Sequence, residues 1–271
     1  MSLSFEERRK TILEILEVDE KVKVSSVEKI LNVSGETIRR DLERLEKEGL
    51  VKKVYGGAVK AKNSVEPPFD QKTAMNTKEK REICRLAAGL VEDGDVIFIG
   101  HGSTAYEIVR FLNGKKNVTI VTPSVPVLLL AMEGFHGKTI FIGGEYEAEQ
   151  KFTSGPLAEM MLNELKADKA FVAAGGVSIN DGISDYDLHG ASNSKKMIQR
   201  AEDVIVLADS SKFGRTTFAK ICSLSDVSMI ITDRHCPEQW KKKLSDHKVE
   251  LLIADDEDHA LTIDSERGGE K

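Results

Sequence analysis

E-T-I-R-R-D-L-E-R-L-E-K-E-G-L-V-K-K-V-Y-G-G-A-V, residues 36–59, decides what the N-terminal part of this chain is. Ile38, Leu42 and Leu45 stand four and three apart, the spacing of a buried seam on one helix. Arg40, Arg44 and Lys47 share another face, with Thr37 and Arg39 near the N-terminal end. Ser34 is placed to cap that end, and Gly49 to stop the helix. The following L-V-K-K-V-Y-G-G-A-V reads as two short strands around Gly56-Gly57, where glycine accepts the positive φ of a tight hairpin.

Upstream, Ser4-x-x-Glu7 is a capping-box pattern, followed by Phe5, Ile12 and Leu16 on one helical stripe. A second box, Ser25-x-x-Glu28, predicts a short helix burying Val27, Ile30 and Leu31. Three helices and a basic hairpin describe a winged helix-turn-helix, which lays its third helix in the major groove. Ser34, Thr37, Arg39 and Arg40 gather at the helix end that reaches base edges. An arginine paired bidentately with guanine gives roughly 1–3 kcal/mol of discrimination. Arg44, Lys52, Lys53 and Lys60 are suited to phosphates, which fix register without reading sequence. The plainer alternative is a solvated charged face, with Glu36, Glu43 and Glu46 softening the basic patch.

The charge balance is divided in the same way. The chain of 271 residues carries a net charge of −6, which by itself argues against nucleic acid. Residues 1–62 hold 14 Lys and Arg against 12 Asp and Glu, and within 39–62 the tally is 8 against 4. The remaining 209 residues hold 25 against 33. An acidic body therefore carries a locally basic head. Three scattered cysteines (Cys84, Cys222, Cys236) imply reduced thiols, with neither a disulfide frame nor a zinc site. The charged N-terminus and short apolar runs predict a cytoplasmic protein with no membrane partner.

Residues 61–76 lack periodicity, contain Pro67-Pro68 and read as a linker. Beyond it, Ile83, Leu86, Ala87 and Leu90 mark a helix. D-V-I-F-I, V-T-I-V, K-T-I-F-I-G-G, K-A-F-V-A-A, V-I-V-L-A, M-I-I-T and E-L-L-I-A then alternate with amphipathic stretches near 104–112, 124–133, 156–165, 190–202 and 237–246. The pattern predicts an α/β domain with a mostly parallel sheet covered on both faces. Ligands of such sheets bind outside the carboxyl ends of the strands. Gly100-His101-Gly102-Ser103-Thr104, Thr122-Pro123-Ser124, Gly143-Gly144-Glu145, Gly175-Gly176 and Asp209-Ser210-Ser211-Lys212 follow strand candidates. Glycine N–H groups, hydroxyls and a lysine are the groups that hold a phosphate.

T-I-R-R-D-L-E-R-L-E-K-E-G-L-V-K-K-V-Y-G-G-A, Thr37 to Ala58, resembles the N-terminal signature of the DeoR family of bacterial transcriptional regulators. D-K-A-F-V-A-A-G-G-V at 168–177 and A-D-S-S-K-F-G-R at 208–215 resemble the family's sensor domain. The resemblance implies DNA binding, usually repression of sugar-utilisation genes, and a sensor resembling ribose-5-phosphate isomerase that takes a phosphorylated sugar or similar anion. By position, Gly102, Ser103 and Thr104 match the family's phosphate turn, Thr122 and Ser124 its second loop, and Lys212 its late lysine. Departures stand beside these matches. Gly100-His101 replaces Asp-Ser in the first loop, Pro123 replaces an amide residue, and Gly190, next to His189, replaces an acidic one.

Four parts are expected: 1–60 winged helix-turn-helix, 61–76 linker, 77–256 effector-binding domain and 257–271 polar tail. The candidate effector residues are His101, Gly102, Ser103, Thr104, Thr122, Ser124, Gly143, Gly144, Asp185 and Lys212. No cofactor, metal ligand set or catalytic residue is assigned, because Asp185, Asp187, Glu145, Lys212, His101 and His189 form no catalytic motif. The expected partners are double-stranded operator DNA, a phosphorylated small-molecule effector, and further copies in a homodimer or homotetramer. An isomerase-like enzyme and a constitutive DNA-binding protein whose body only oligomerises are the alternatives.

Overall fold

Ser4 and Glu7 close the first capping box in both directions. The Ser4 N–H donates to Glu7 Oε2 (2.7 Å), and the Glu7 N–H donates to Ser4 Oγ (3.3 Å). In this computed structural model, residues 3–19, 21–47, 50–60 and 66–254 are described. The Gly49 helix stop, the 61–65 part of the expected linker and the 257–271 tail lie outside them, as do the side chains of Lys47 and Lys60. The chain divides into two compact units, Met1–Pro67 and Pro68–Lys271.

The first unit holds α1 (Phe5–Asp19), β1 (Lys21–Lys23), α2 (Val24–Leu31), α3 (Gly35–Lys47), β2 (Val51–Val54) and β3 (Gly57–Lys60). Ile12, Leu16, Val27, Ile38, Leu42 and Leu45 form its core. The wing has three strands in the order β1-β3-β2, because β1 adds an edge beyond the expected hairpin. The two wing glycines serve different needs. Gly56 takes φ +79°, whereas a Cβ on Gly57 would stand 1.9 Å from the Val22 carbonyl oxygen. The second capping box is corrected: α2 begins at Val24 with Lys23 at its N-cap and no side-chain cap. Glu28 instead accepts the Gly35 N–H at 3.0 Å, tying α2 to the start of α3. Ile30, expected inside, is exposed, and Val24 takes an inward place.

The second unit runs α4 (Phe69–Thr73), α5 (Thr77–Gly89), β4 (Val96–Ile99), a 3-10 helix (Ala105–Phe111), β5 (Thr119–Thr122), α6 (Val125–Gly134) and β6 (Lys138–Phe141). A hairpin follows, β7 (Glu145–Glu147) and β8 (Phe152–Ser154), then α7 (Pro156–Asn163) and β9 (Ala167–Ala173). The remainder is β10 (Gly176–Ser178), β11 (Gly182–Asp185), α8 (Leu188–Gln199), β12 (Ala201–Leu207), β13 (Ala219–Cys222), β14 (Met229–Asp233), α9 (Gln239–Ser245) and β15 (Glu250–Ala254).

The seven apolar runs named from sequence form one seven-stranded sheet, β15-β14-β12-β9-β4-β5-β6, with every neighbouring pair parallel. Successive residues alternate between its two faces. Ile97, Ile99, Phe171 and Ile205 pack with α5, the 3-10 helix and α6, whereas Phe98, Ala170, Val172 and Val204 pack with α7, α8 and α9. From β4 the chain adds β5 and β6 on one side, then returns to place β9 and β12 on the other. The order therefore reverses between β4 and β9, and in open parallel sheets the carboxyl ends of the strands at such a reversal are where ligands bind.

Two corrections concern local form. The 104–112 stretch is a 3-10 helix rather than an α-helix. Within the expected 61–76 linker, Phe69–Thr73 is helical and packed on the second unit. The Phe69 side chain is buried, its N–H donates to the Glu149 carbonyl (2.9 Å), and its ring meets Tyr106 edge-on.

Candidate functional site

On the first unit, Ser34 caps α3. Its Oγ accepts the Thr37 N–H at 3.2 Å and lies 2.9 Å from Thr37 Oγ1. Both hydroxyls thus stand at the exposed N-terminal end of α3. Arg39 and Arg40 extend into solvent, held loosely by Glu36 at 3.7 and 3.4 Å. Exposed pairs of this kind hold side chains weakly and release them readily. The Arg44 guanidinium lies 4.6 Å above the Phe5 ring, so this residue also braces α3 on α1. Lys52 and Lys53 are exposed on β2, and the Lys53 N–H donates to Glu46 Oε1 at 2.7 Å. Glu46 therefore anchors the wing rather than merely diluting the positive face.

Two features of this unit were missed from sequence. Tyr55 projects fully from the wing tip. Asp41, three residues after Ile38 on the buried seam, is inside and receives Arg8 as a fork, Nε to Oδ2 at 2.6 Å and Nη2 to Oδ1 at 3.0 Å. A charge on an apolar seam was the available signal. The pairing removes one acidic group from the surface that carries Arg39 and Arg40.

In the second unit the five polar loops follow β4, β5, β6, β9 and β12, which are adjacent parallel strands, so all five leave the same sheet edge. Gly102 has φ +115°, and a Cβ there would lie 2.8 Å from Ala173 Cβ. The N–H groups of Gly102, Ser103 and Thr104 make no hydrogen bond to described residues. Such a run of free N–H groups is a concavity suited to an anion.

Not every expected residue is free to meet a ligand. Thr122 is fully buried; its Oγ1 donates to the Ile99 carbonyl (2.8 Å) and accepts the Ser124 N–H (3.1 Å). Ser124 caps α6 by accepting the Val127 N–H. Gly144 is required for packing, since a Cβ would stand 2.3 Å from the Ser154 carbonyl oxygen, whereas Gly143 faces open space. These residues hold the loops at the strand ends in shape. Pro123 contributes its carbonyl, which accepts both the N–H and the hydroxyl of Thr153 and so joins β8 to this loop.

His101, in the loop after β4, and Asp185, at the end of β11, are brought together. His101 Nε2 donates to Asp185 Oδ2 at 3.0 Å, and the imidazole lies 4.3 Å from the Phe152 ring centroid. Both residues are buried, and His101 Nδ1 has no partner among the described residues. Burial opposes ionisation of Asp185, yet the facing His101, the Tyr186 N–H and the Lys72 charge hold its carboxyl below the ordinary range. Asp209 behaves alike: burial opposes its charge, but Lys212, the Ser211 hydroxyl and N–H, and Lys80 hold its carboxyl low.

Lys72 of α4 and Lys80 of α5 join Lys212 in this electrostatic cluster, and neither was expected. Lys80 was legible in principle. It precedes Ile83, Cys84 and Ala87 by three, four and seven residues, on the buried stripe of α5. Among the described residues no cluster of three or more His, Cys, Asp or Glu could hold a metal, and no helix is long and apolar enough to cross a membrane.

The chain matches two family models: the DeoR-like helix-turn-helix domain over residues 8–64 and the DeoR C terminal sensor domain over residues 75–234. It is 35% identical to the uncharacterized HTH-type transcriptional regulator YulB of Bacillus subtilis (strain 168), over 90% of this chain and 95% of that one. It is 32% identical to the lactose phosphotransferase system repressor of Lactococcus lactis subsp. lactis, over 92% and 98%. It is 30% identical to a putative aga operon transcriptional repressor of Escherichia coli O157:H7, over 91% and 93%.

Proposed function

The chain belongs to the DeoR family of transcriptional regulators, and on that premise we propose that it represses carbohydrate-utilisation genes under the control of a phosphorylated sugar or related anion. The relatives named as repressors of the lactose phosphotransferase system and the aga operon support the gene class. The observation that carries the effector is the run of free N–H groups at Gly102–Thr104, at the sheet edge where Lys212 follows β12 and interacts electrostatically with Lys80, which also feels Lys72. Ser103 and Thr104 hydroxyls and the loop N–H groups hold the phosphate, Lys212 supplies charge, and His101 with Asp185 meets the rest of the ligand.

On the DNA side, Ser34, Thr37, Arg39 and Arg40 at the N-terminal end of α3 read bases, while Arg44, Lys52 and Lys53 meet phosphates. Two or four copies present their α3 helices to a repeated operator. The effector acts through different affinity for the DNA-competent and DNA-incompetent states. The test joins a thermal-shift screen of sugar phosphates with binding to the DNA upstream of the chain's own gene. A ligand present at about a hundredfold its Kd adds roughly 2.7 kcal/mol of stability. Sequence-selective DNA binding that such a ligand weakens is expected. Indifference of that binding to every ligand in the screen would leave a constitutive DNA-binding protein.

A further inference from the structure

Lys80 is 5% exposed, and its ammonium is spent on the segment that leads toward the N-terminal unit. It donates to the carbonyls of Lys72 and Met75, at 2.8 Å for Met75, closing the end of α4 and the turn after it. An ammonium has three N–H donors, and the third finds no acceptor among the described residues. Burial lowers the Lys80 pKa to about 8, with Asp209, Lys212, Lys72 and Glu107 as its charged neighbours. The same segment is pinned at Phe69 to Glu149 and Tyr106, and by Asp70 to Lys151 Nζ at 2.6 Å.

We propose that Lys80 is an effector contact and also the latch on Phe69–Met75, so that a bound anion draws its ammonium from the Lys72 and Met75 carbonyls and loosens that segment. The proposal rests on the effector reading above. An anion offers a charged acceptor to an ammonium that burial has made reluctant to carry charge, and a bond in which both partners are ionised outcompetes one to a neutral carbonyl. The two released carbonyls lose their shared donor. The chain toward the DNA-binding unit then leaves the second unit by a less ordered path. Ligand occupancy is thereby converted into slack in the connection itself.

Hydrogen exchange on the full chain tests this, with inorganic phosphate and ribose 5-phosphate as probes and thermal shift as a separate record of binding. With a bound probe, amide exchange across residues 69–75 is expected to rise roughly tenfold. Lys80→Met should show the fast exchange without any probe and no further response. Lys212→Met should lose probe binding while residues 69–75 stay protected. A probe that raises the melting temperature but leaves exchange at 69–75 unchanged or slower overturns the latch and spares the effector reading. Absence of any thermal shift with either probe and across the sugar-phosphate screen overturns both. Because the wild-type comparison needs no variant, a misfolded Lys80→Met protein leaves the test decisive.

Discussion

His101 Nε2 lies 3.0 Å from Asp185 Oδ2, and the ring has room there only because residue 190 is glycine. A Cβ on Gly190 would stand 2.5 Å from the same nitrogen. His101 and Gly190 are therefore sterically coupled, one position making room for the other. Gly190→Ala should force the imidazole aside and cost about 1–3 kcal/mol, as overpacking does. In His101→Ala the added methyl group should be tolerated, so urea unfolding of the four combinations should show strong non-additivity. Simple additivity would mean the two positions are independent.

Lys80 makes stability depend on alkaline pH in a defined direction. Its folded pKa, about 8, is below its ordinary 10.5, so between those values the unfolded chain binds more protons and stability rises with pH. Below pH 8 the full cost of the buried charge is present, on the order of 3 kcal/mol. Lys80→Met should flatten the rise between pH 8 and 10.5. An unchanged slope in that variant would assign the titration to another group.

Arg39→Ala and Arg40→Ala should abolish selective DNA binding while leaving thermal shifts by effector intact. Lys52→Ala and Lys53→Ala should weaken binding to all sequences alike and lower the salt dependence by about one ion for each phosphate no longer neutralised. Arg44→Ala differs from both groups. Removal of its stack on Phe5 should cost about 0.5–1 kcal/mol of stability as well as affinity. Titrations against operator and scrambled duplexes at several salt concentrations separate these outcomes.

The Arg8–Asp41 fork inside the first unit should respond asymmetrically. Arg8→Met leaves a buried carboxylate without its partner and should destabilise by about 3–5 kcal/mol. The double change Arg8→Met with Asp41→Leu should recover most of that loss. Circular dichroism of α-helical signal during urea unfolding of the full chain measures both.

The seven strands of the sheet were legible because each is a short apolar run, and the inner ones are largely buried toward their carboxyl ends. β1 was not, since Lys21–Lys23 is too short to show alternation and gains its identity only by pairing with β3. Sequence pattern also located the polar loops at strand ends, but not what each side chain does there. Thr122 reads as a ligand hydroxyl, yet tertiary packing commits it to the Ile99 carbonyl. Lys72 lay hidden in a segment without periodicity, and tertiary contacts of Phe69, Asp70 and Lys80 bring it near Asp185 and Lys80. Glu28 shows the same limit: capping spacing proposed a partner, and the turn before α3 supplied a different one.

The pairing of β4 with β9 also governs how the chain can be made. β4 ends at Ile99, while the strand it must lie beside begins at Ala167. During synthesis the helices of the first unit, whose contacts are local, can fold as they emerge. Val96–Ile99 meanwhile waits with an open backbone edge until the ribosome has delivered β9. Ribosome-stalled chains ending before Ala167 should therefore present a protease-resistant first unit beside an aggregation-prone half-sheet. Extension through Leu207, the end of β12, should quench that stickiness.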